Sequence, residues 1–512
     1  MKFQFAINLK SDKMEYGVNG VSHAFFILYR SRGVLFVIFS TYLFILVFLP
    51  ITFLGYRLLA HFRLDELSKV WLVLASLVFY WQGSGMFTFA FIASVIFNYI
   101  IGIAIIRANG RNKKWKKRLL LTIGLAENIL LLGYYKYANF AIENFNFVTG
   151  SSYDLLDILL PLGISFFTFQ LIAFLVDCYK EHTEEYSFIN YLVFITFFPQ
   201  LIVGPIVHHK EVVPQIEDEK RPLFNKYNIM LGIFLFSMGA AKKVVLADPL
   251  TLYGEAYFSD VASYDVLASW LATFSYTLSY YFDLSGYADM AIGLGLFFNI
   301  LLPQNFMSPY KARNFRDYWQ RWHITLSRFL STYIFRSVYR KGKGSFNFYF
   351  AVMFTFFVSG FWHGAGWSFV LWGIINGVFV CMSHFMRRRK WQLPFIVAWV
   401  LTFAGVVGTR ILFVATDTSQ AFTVMGKMFD FQQFANLSFS EISYDIYTFA
   451  MNNSVTIVIL LVAMGIAFFG KSSNQMKEEF KPSVKNAVIS ALLLGLALSQ
   501  MTAVSDFLYF QF

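Results

Sequence analysis

Two histidines in aromatic, apolar surroundings are the residues of this sequence best suited to chemistry. His323 ends the run "WQRWH" (319–323), and His363 lies forty residues later in "GFWHGAGW" (360–367). A neutral imidazole near pH 7 can take a proton from a hydroxyl group and so act as a general base. Metal binding is the weaker alternative, because no carboxylate or third ligand lies at ligand spacing from either histidine.

The composition places both histidines in a membrane protein. The 512 residues are 57% hydrophobic and 14% charged, with a mean hydropathy of +0.55. Soluble proteins keep about a quarter of their residues charged. Apolar segments of about 20 residues recur, each long enough to cross a hydrocarbon core roughly 30 Å thick, and segments of this length indicate helices rather than a barrel. The composition predicts an all-α polytopic membrane protein.

Hydropathy then predicts where the chain crosses the membrane. Candidate spans lie near 34–58, 69–82, 86–106, 119–139, 155–176, 188–206, 228–247, 266–282, 286–303, 346–361, 364–385, 395–414, 454–470 and 484–501. Some, such as 69–82, are too short to cross unaided and are expected to be tilted, re-entrant or broken. No internal repeat stands out, which weakens an interpretation as a transporter. Residues 1–33 carry several basic residues and are expected to form an interfacial extension.

The charge of the loops predicts the orientation, because Lys and Arg near span ends stay on the cytoplasmic side. The loops 107–118 and 387–390 are strongly basic, whereas 140–157 and 415–453 are mainly acidic and should face outward. The formal net charge of +12 fits anchoring to anionic membrane lipid. It would also attract an anionic donor such as coenzyme A or an acidic carrier protein. Nucleic-acid binding is not expected, since no basic fold lies outside the spans.

The segment 315–334 predicts an amphipathic helix that carries His323. Its apolar residues recur at helical spacing, and its arginines take the opposite face. Such a helix suits the cytoplasmic interface of the membrane. His323 follows Trp319 by four residues and precedes Leu326 by three, so it points with the apolar face, half hidden from water.

His363 lies in a segment without Asp, Glu, Lys or Arg that runs from Gly344 to Met386. As one helix this segment would be roughly 65 Å long, far more than one crossing needs. Both of its flanks are basic, so the chain must turn back, and the three glycines of "SGFWHGAG" mark the turn. His363 is therefore expected at the tip of a hairpin or re-entrant pair, where a helix break is buried in protein or lines a cavity.

Other polar residues interrupt the apolar segments. A single histidine among tryptophans also fits a hydrogen-bonded packing residue, but two that face a shared interior favour function, because ionisable groups in a membrane are costly. Asp283 or Asp289 is expected to pair with an arginine of 313–328 rather than to act directly. His208 and His209 are expected at the surface.

The sequence around both histidines resembles the membrane-bound O-acyltransferase family, in particular its alginate O-acetyltransferase branch. The resemblance rests on "YFDLSGYADMAIGLGLFFNILLPQNFMSPYKARNFRDYWQRWHITLSRFL" and "VSGFWHGAGWSFVLWGIINGV". It is specific over 276–380 and looser over 34–512, which would form one transmembrane domain. It implies a ring of tilted helices around a central tunnel or funnel, with re-entrant and amphipathic interfacial helices.

The resemblance also implies the roles of individual residues. His363 would be the catalytic base, and His323 would orient the donor or relay a proton. The residues implied to line the tunnel or bind the donor are Trp319, Arg321, Trp322, Trp362, Trp367 and Asp283. The donor would be an acyl-CoA or acyl-carrier-protein thioester, with neither a metal nor a bound cofactor. The implied partners are a periplasmic or extracellular acetyltransferase protein, a polysaccharide acceptor, membrane lipid and a carrier protein.

The implied activity is O-acetylation of an exported cell-surface polysaccharide from the bacterial cytoplasmic (inner) membrane. The polymer would be alginate or a similar one, with peptidoglycan and cellulose as options. One departure keeps an alternative open. Where the branch has a Pro-Leu-Gly-Gly-like turn, this chain has "RSVYRKGKGS" (336–345), which is similar to relatives that transfer D-alanine to teichoic acid. A transporter or flippase of a polysaccharide precursor, without bond chemistry, is the alternative from another class.

Cysteine labelling tests the predicted orientation. Asn112→Cys and Arg388→Cys, both in basic loops, should be protected from a membrane-impermeant thiol reagent in intact cells. Asn436→Cys, in the acidic loop, should react, because that loop faces outward. Labelling at position 112 would reverse the orientation and remove the cytoplasmic origin of the donor.

Overall fold

Every regular element in the part of the chain described by the computed structural model is a helix. The described residues are 38–110, 114–180, 183–218, 220, 222, 224–501 and 508, so the predicted extension 1–33 lies outside them. The first helices are α1 (Phe44–His61), α2 (Asp65–Ser84), α3 (Phe87–Gly110), α4 (Lys114–Thr149), α5 (Ile164–Tyr179), α6 (Phe188–Thr196), α7 (His209–Glu217), α8 (Lys226–Ser259) and α9 (Val266–Phe297).

The second half of the chain continues in the same way, with shorter helices between the long ones. They are α10 (Phe315–Arg321), α11 (Ile324–Phe329), α12 (Gly344–His363), α13 (Trp367–Arg388), α14 (Phe395–Val414), α15 (Thr418–Lys427), α16 (Phe439–Asn452), α17 (Ser454–Phe469) and α18 (Val484–Gln500). Single-turn helices at Phe198–Leu201 and Ser473–Glu478 connect some of them.

Seven of these helices are long and apolar enough to cross a membrane, namely α1, α3, α4, α8, α12, α13 and α14. The pair α16 and α17 is bent by 80° at Asn453 and gives an eighth crossing if it is counted as one broken span. The predicted all-helical membrane fold is therefore confirmed. The helices at some predicted spans, such as α5 with 16 residues and α6 with 9, are too short to cross alone. The predicted span 69–82 is instead longer than expected, because α2 extends to 20 residues.

Three boundary predictions are wrong. The expected span 188–206 is broken at Phe197 into α6 and the short helix Phe198–Leu201. The expected spans 266–282 and 286–303 are a single helix, α9, which continues through Gly286 because that glycine packs against another helix. The expected span at 155–176 begins only at Ile164, since residues 151–161 form no regular structure. The turn predicted between the second and third spans is confirmed, with α2 ending at Ser84 and α3 beginning at Phe87.

Helices α8 and α9 approach each other closely through two pairs of glycines. A Cβ atom on Gly239 would lie 2.4 Å from the carbonyl oxygen of Gly286, and one on Gly232 would lie 2.7 Å from that of Gly293. Small residues allow helix backbones in membranes to come into direct contact. Each helix carries its two glycines seven residues apart, so both contacts fall on the same face. This contact places the polar residues that follow Gly239 against the middle of α9.

Helices α12 and α13 form the hairpin predicted from the uncharged segment. α12 ends at His363, α13 begins at Trp367, and the three residues between them make the turn. Gly360 and Gly373 lie face to face, because a Cβ atom on Gly360 would be 3.0 Å from the Cα atom of Gly373. His363 is therefore held at the tip of a closely packed pair of helices.

Replacement of Gly239 tests the α8–α9 contact. Gly239→Ala should lower the melting temperature of the purified protein in detergent, because the added methyl group meets backbone that cannot move aside, at a cost of about 1–3 kcal/mol. Gly465→Ala is the matched control, since Gly465 lies within α17 with nothing inside 4 Å of the added Cβ atom. The control should leave stability unchanged or slightly higher. Equal melting temperatures for the two variants would contradict the contact.

Candidate active site

A break between two short helices positions His323. α10 ends at Arg321 and α11 begins at Ile324, and His323 has φ 46° and ψ 53°, in the left-handed region that residues other than glycine adopt rarely. The expected continuous helix over 315–334 is therefore wrong. The break is stabilised from outside the segment, because the Ile324 N–H donates to the Asn305 carbonyl at 2.9 Å and the Arg321 carbonyl accepts from the Met307 N–H at 2.9 Å.

His323 is more buried in the protein than the sequence predicts, because only 3% of its surface is exposed. Its imidazole is surrounded by aromatic rings, 6.1 Å from Phe306 and 6.4 Å from both Phe166 and Trp362 between ring centroids. Burial lowers the pKa of His323 to about 3, so the ring is neutral at physiological pH. Its Nδ1 atom is buried and has no hydrogen-bond partner among the described residues. A neutral ring with one free nitrogen can orient a substrate or pass on a proton.

His363 is the last residue of α12 and is 4% exposed. Its ring packs against Trp362, Trp372 and Phe413, with centroid distances of 4.9, 5.0 and 5.1 Å. The Lys136 ammonium donates to the carbonyl oxygens of Trp362 and His363 at 2.7 and 2.9 Å, and so caps the C-terminus of α12. The tip that carries His363 is thereby tied to α4.

The structure brings both histidines beside one indole ring. The Trp362 ring lies 6.4 Å from that of His323 and 4.9 Å from that of His363. Lys136 and Arg410 are among the groups close enough to act electrostatically on the His363 imidazole. A hydroxyl group beside His363 would therefore meet a base with basic side chains nearby, which suits the formation of an anion.

The remaining residues expected to line the tunnel lie at different depths. Trp322 is buried and stacks on Tyr318 at 5.7 Å, and Trp319 packs edge-on against Trp372 at 5.7 Å. Both therefore belong to the aromatic layer around the histidines. Arg321 lies toward the rim of the site, with about a third of its side chain exposed and a salt bridge of 2.7 Å to Asp317.

Trp367 does not join this cluster. It is 61% exposed, its ring lies 5.9 Å from that of Phe140, and its indole N–H donates to Asn144 at 2.9 Å. Although four residues from His363, it begins the next helix and points to the far side of the turn. Trp367 is therefore not part of the aromatic layer around the histidines, and its predicted role in the tunnel gains no support.

Asp283 and Asp289 form buried ion pairs, but not with the expected arginines. Lys243 lies 2.7 Å from Asp283 and 2.8 Å from Asp248, and Lys242 lies 2.6 Å from Asp289. The lysines are the partners because the glycine contact of α8 and α9 places 242–243 beside the middle of α9. Asp283 also accepts from the Leu508 N–H at 3.1 Å, so its observed contacts are structural ones and the expected role in the tunnel gains no support.

The sequence suggested that His208 and His209 both lie at the surface. The structure contradicts this for His209. His209 is buried, and the Nε2 atoms of His208 and His209 lie 2.9 and 3.1 Å from the same Asp177 oxygen. The three ligand atoms lie within 4.8 Å of one another, which is compatible with a metal ion. Each histidine also bonds to a tyrosine, His208 to Tyr333 at 2.7 Å and His209 to Tyr186 at 2.9 Å. The protein itself therefore satisfies this network, which fastens the start of α7 to α5.

Comparison with known proteins agrees with this geometry. Residues 178–426 match the model of the membrane-bound O-acyltransferase family. A peptidoglycan O-acetyltransferase of Helicobacter pylori is 36% identical over 517 aligned residues, which cover 93% of this chain and 98% of that protein. The chain belongs to the membrane-bound O-acyltransferase family. The resemblance noted from the two histidine motifs is thereby confirmed, and so is the expectation that the protein is an O-acyltransferase.

Other relatives of this O-acyltransferase differ in how much of the chain they match. A probable alginate O-acetylase AlgI of Pseudomonas putida is 33% identical, covering 85% of this chain and 87% of that protein. A teichoic acid D-alanyltransferase of Bacillus subtilis is 27% identical over 47% of this chain and 65% of that protein. The acetyl-transferring relatives therefore match the chain over a greater length than the D-alanyl-transferring one does.

Two basic residues of the site were missed by the sequence analysis. Lys136 lies within the predicted span 119–139, and Arg410 lies within the predicted span 395–414. An ionisable residue inside a span is a signal of function in its own right, because a charge is costly in the hydrocarbon core. The two charged residues could therefore have been identified from the sequence. Their contacts could not, because the contacting residues lie on other helices.

Loss of the Lys136 cap should disturb the histidine site. Lys136→Met removes both hydrogen bonds to the α12 terminus and should lower acyl transfer per inserted protein by about 10- to 100-fold, since displacements near 1 Å can have that effect. Lys427→Met is the matched control. Lys427, the last residue of α15, also donates to two backbone carbonyls, those of Ala262 and Tyr264, at 2.7 and 2.8 Å. The control should retain activity. If the two variants are equally active, the cap does not position His363.

Proposed function

We propose that the protein is an O-acetyltransferase of the bacterial cytoplasmic membrane that modifies an exported cell-surface polysaccharide. The observation that carries the proposal is the placement of both His323 and His363 beside the Trp362 ring, in a chain whose relatives transfer acetyl groups. The acceptor proposed first is peptidoglycan, because the peptidoglycan O-acetyltransferase aligns over 98% of its own length with 36% identity. An alginate-type polysaccharide is second.

The proposed donor is a cytoplasmic thioester, either acyl-CoA or an acylated carrier protein. The basic loops at 107–118 and 387–390 would attract its phosphates or acidic groups. The acceptor hydroxyl belongs to the polysaccharide or to a partner acetyltransferase protein outside the membrane. Acetyl transfer within the site would then connect a donor on one side with an acceptor on the other.

In this reaction His363 is the general base. Its imidazole takes the proton of the acceptor hydroxyl as the oxygen attacks the thioester carbonyl, and the thiolate leaves with that proton as a thiol. Burial against Trp362, Trp372 and Phe413 keeps water from the site and so limits hydrolysis of the thioester. The Lys136 cap fixes the backbone that carries the base.

His323 has a supporting role in the proposal. Its neutral ring and unpartnered Nδ1 atom suit contact with the donor or transfer of the proton away from His363. The left-handed backbone at His323 supports this role, because a strained conformation is retained where surrounding contacts determine it and is often found at functional sites. A packing histidine would not need such a backbone.

The two alternatives receive less support. D-alanyl transfer to teichoic acid is the activity named for a relative that matches 47% of this chain. A flippase would perform no bond chemistry, and membership of an acyltransferase family argues against it. Acetyl and D-alanyl transfer are separated by the ester recovered from the polysaccharide, since mild alkali releases acetate in one case and alanine in the other.

Replacement of the histidines tests the proposed mechanism. His363→Ala should insert normally yet lose about 10²–10⁴-fold in acetyl transfer, equivalent to about 3–5 kcal/mol of barrier. His323→Ala should also lose most activity, and the double variant should be scarcely worse than the worse single one, because residues that act as a unit are not additive. The measurement is acetyl ester on the exported polysaccharide, normalised to inserted protein.

His61→Ala serves as the control, because His61 is exposed in the last turn of α1. It should leave acetylation unchanged. Near-normal acetylation by His363→Ala would remove the base from the proposal and leave both histidines as packing residues. If His363→Ala lowered the amount of inserted protein but left the activity per molecule normal, His363 would likewise be a packing residue and not the base.

A further inference from the structure

Arg410 is a buried cation for which the described residues supply no acid. It lies in α14 and is 5% exposed. Lys242 and Lys243, the buried lysines of α8, each have a carboxylate within 2.8 Å. None of the salt bridges between described residues includes Arg410. A buried charge without a partner is costly, so its retention indicates that an anion occupies the site during the working cycle.

Aromatic residues hold the Arg410 guanidinium in one position. Its central carbon lies 4.6 Å from the ring centroid of Tyr280 and 5.1 Å from those of Trp322 and Phe413. Rings at these distances stabilise a cation through its attraction to their faces. The side chains of Tyr310 and Tyr318 lie close enough to the same guanidinium to interact with it electrostatically. The cation is therefore fixed before any substrate binds.

One donor of this fixed group remains unused. The Arg410 Nε atom is buried and has no hydrogen-bond partner among the described residues. A buried donor left without an acceptor carries its full desolvation cost, and such groups are rare unless a ligand satisfies them. The chemistry of an N–H on a cation selects an anionic oxygen as that ligand.

Arg410 and the candidate base share a neighbouring aromatic ring. The Phe413 ring contacts both residues, 5.1 Å from the His363 ring centroid and 5.1 Å from the guanidinium carbon of Arg410. Arg410 is also one of the basic groups that act electrostatically on His363. An anion formed beside His363 would thus form within the field of a preorganised cation.

We propose that Arg410 is a catalytic residue whose Nε–H donates to the oxyanion of the tetrahedral intermediate, an inference that rests on the proposed acetyl transfer. The acceptor hydroxyl gives its proton to His363 and its oxygen bonds to the thioester carbon, while the carbonyl π electrons move to the carbonyl oxygen. Arg410 holds that negative oxygen. When the C=O bond re-forms, the C–S bond breaks and the sulfur takes the proton from His363. Fixed donors directed at developing charge are a major source of enzymatic rate enhancement.

Kinetics in inverted membrane vesicles that contain the full chain test this role. Acetyl-coenzyme A, labelled in its acetyl group, is added to the exposed cytoplasmic face, and the alkali-labile label on lumenal polysaccharide is measured. Arg410→Ala should lower kcat by about 10²–10³-fold. The KM for acetyl-coenzyme A should change by less than about threefold, because the donor is needed only after the oxyanion forms. Added guanidinium ion should restore part of the lost kcat by occupying the vacated site.

Arg57→Ala is the matched control. Arg57 also packs over an aromatic ring, 3.3 Å from the Phe224 centroid, but it is exposed on α1. Its replacement should leave kcat unchanged, and guanidinium ion should have no effect on it. If Arg410→Ala does not insert, Arg410→Lys carries the test, because it keeps the charge and loses the Nε donor. Its kcat should fall without a matching change in KM.

The outcomes separate this inference from the proposed function. Acetyl transfer by the wild type together with an unchanged kcat in Arg410→Ala or Arg410→Lys would overturn the role of Arg410 alone. A loss that appears in KM, or one that guanidinium ion does not relieve, would likewise reduce Arg410 to a structural or donor-binding residue. Absence of acetyl transfer by the wild type would overturn both proposals.

Discussion

Lys243 lies inside the protein with 1% of its side chain exposed, between the carboxylates of Asp283 and Asp248. The constraint it illustrates governs the whole structure. In hydrocarbon, a polar or charged group has no water to bind, so its partner must come from the protein. The close glycine contact of α8 and α9 exists in the same region, and it brings the lysine and its acids within reach. The packing of α8 against α9 therefore also provides the buried lysine with its carboxylate partners.

The same constraint explains the irregular backbone around the histidines. The break at His323 frees carbonyl and amide groups in the protein interior, and the segment that contains Asn305 and Met307 forms hydrogen bonds with them. The turn after His363 frees the last carbonyls of α12, and Lys136 takes up two of these. Each break is therefore tolerated because another part of the chain supplies its hydrogen bonds. The breaks in turn let both imidazoles point at one indole ring.

The charges near the histidines differ from those elsewhere in the interior. Along α9, each lysine of the pair 242–243 faces an aspartate, and the cluster is neutralised within the protein. Near His363, by contrast, Arg410 forms no salt bridge with any other described residue. A positive site without a resident acid is unfavourable for the resting protein and favourable for a reaction that passes through an anion. The paired charges along α9 therefore stabilise the fold, whereas the charge near His363 is available for the reaction.

The sequence by itself determined the class of the protein and the residues with which its chemistry begins. Composition and hydropathy depend on local sequence, so they predicted an all-helical membrane protein and the hairpin at His363, and the resemblance of both histidine motifs indicated the family. They did not predict the break at His323, because the hydrogen bonds that stabilise it come from residues outside the amphipathic pattern. Asp283 and Asp289 were recognised as polar members of the interior, but their lysine partners were not.

Only the tertiary structure decided which side chains surround the two imidazoles. Lys136 reaches the carbonyl of His363 across 227 positions of sequence, and Arg410 meets Tyr280 and Trp322 from a third and a fourth segment. Trp367 is four residues from His363 and yet lies apart from it, at 61% exposure. Periodicity describes which face of one helix is apolar, whereas burial of a charge depends on what several helices place around it. That is why the interior partners emerged only when the helices were packed together.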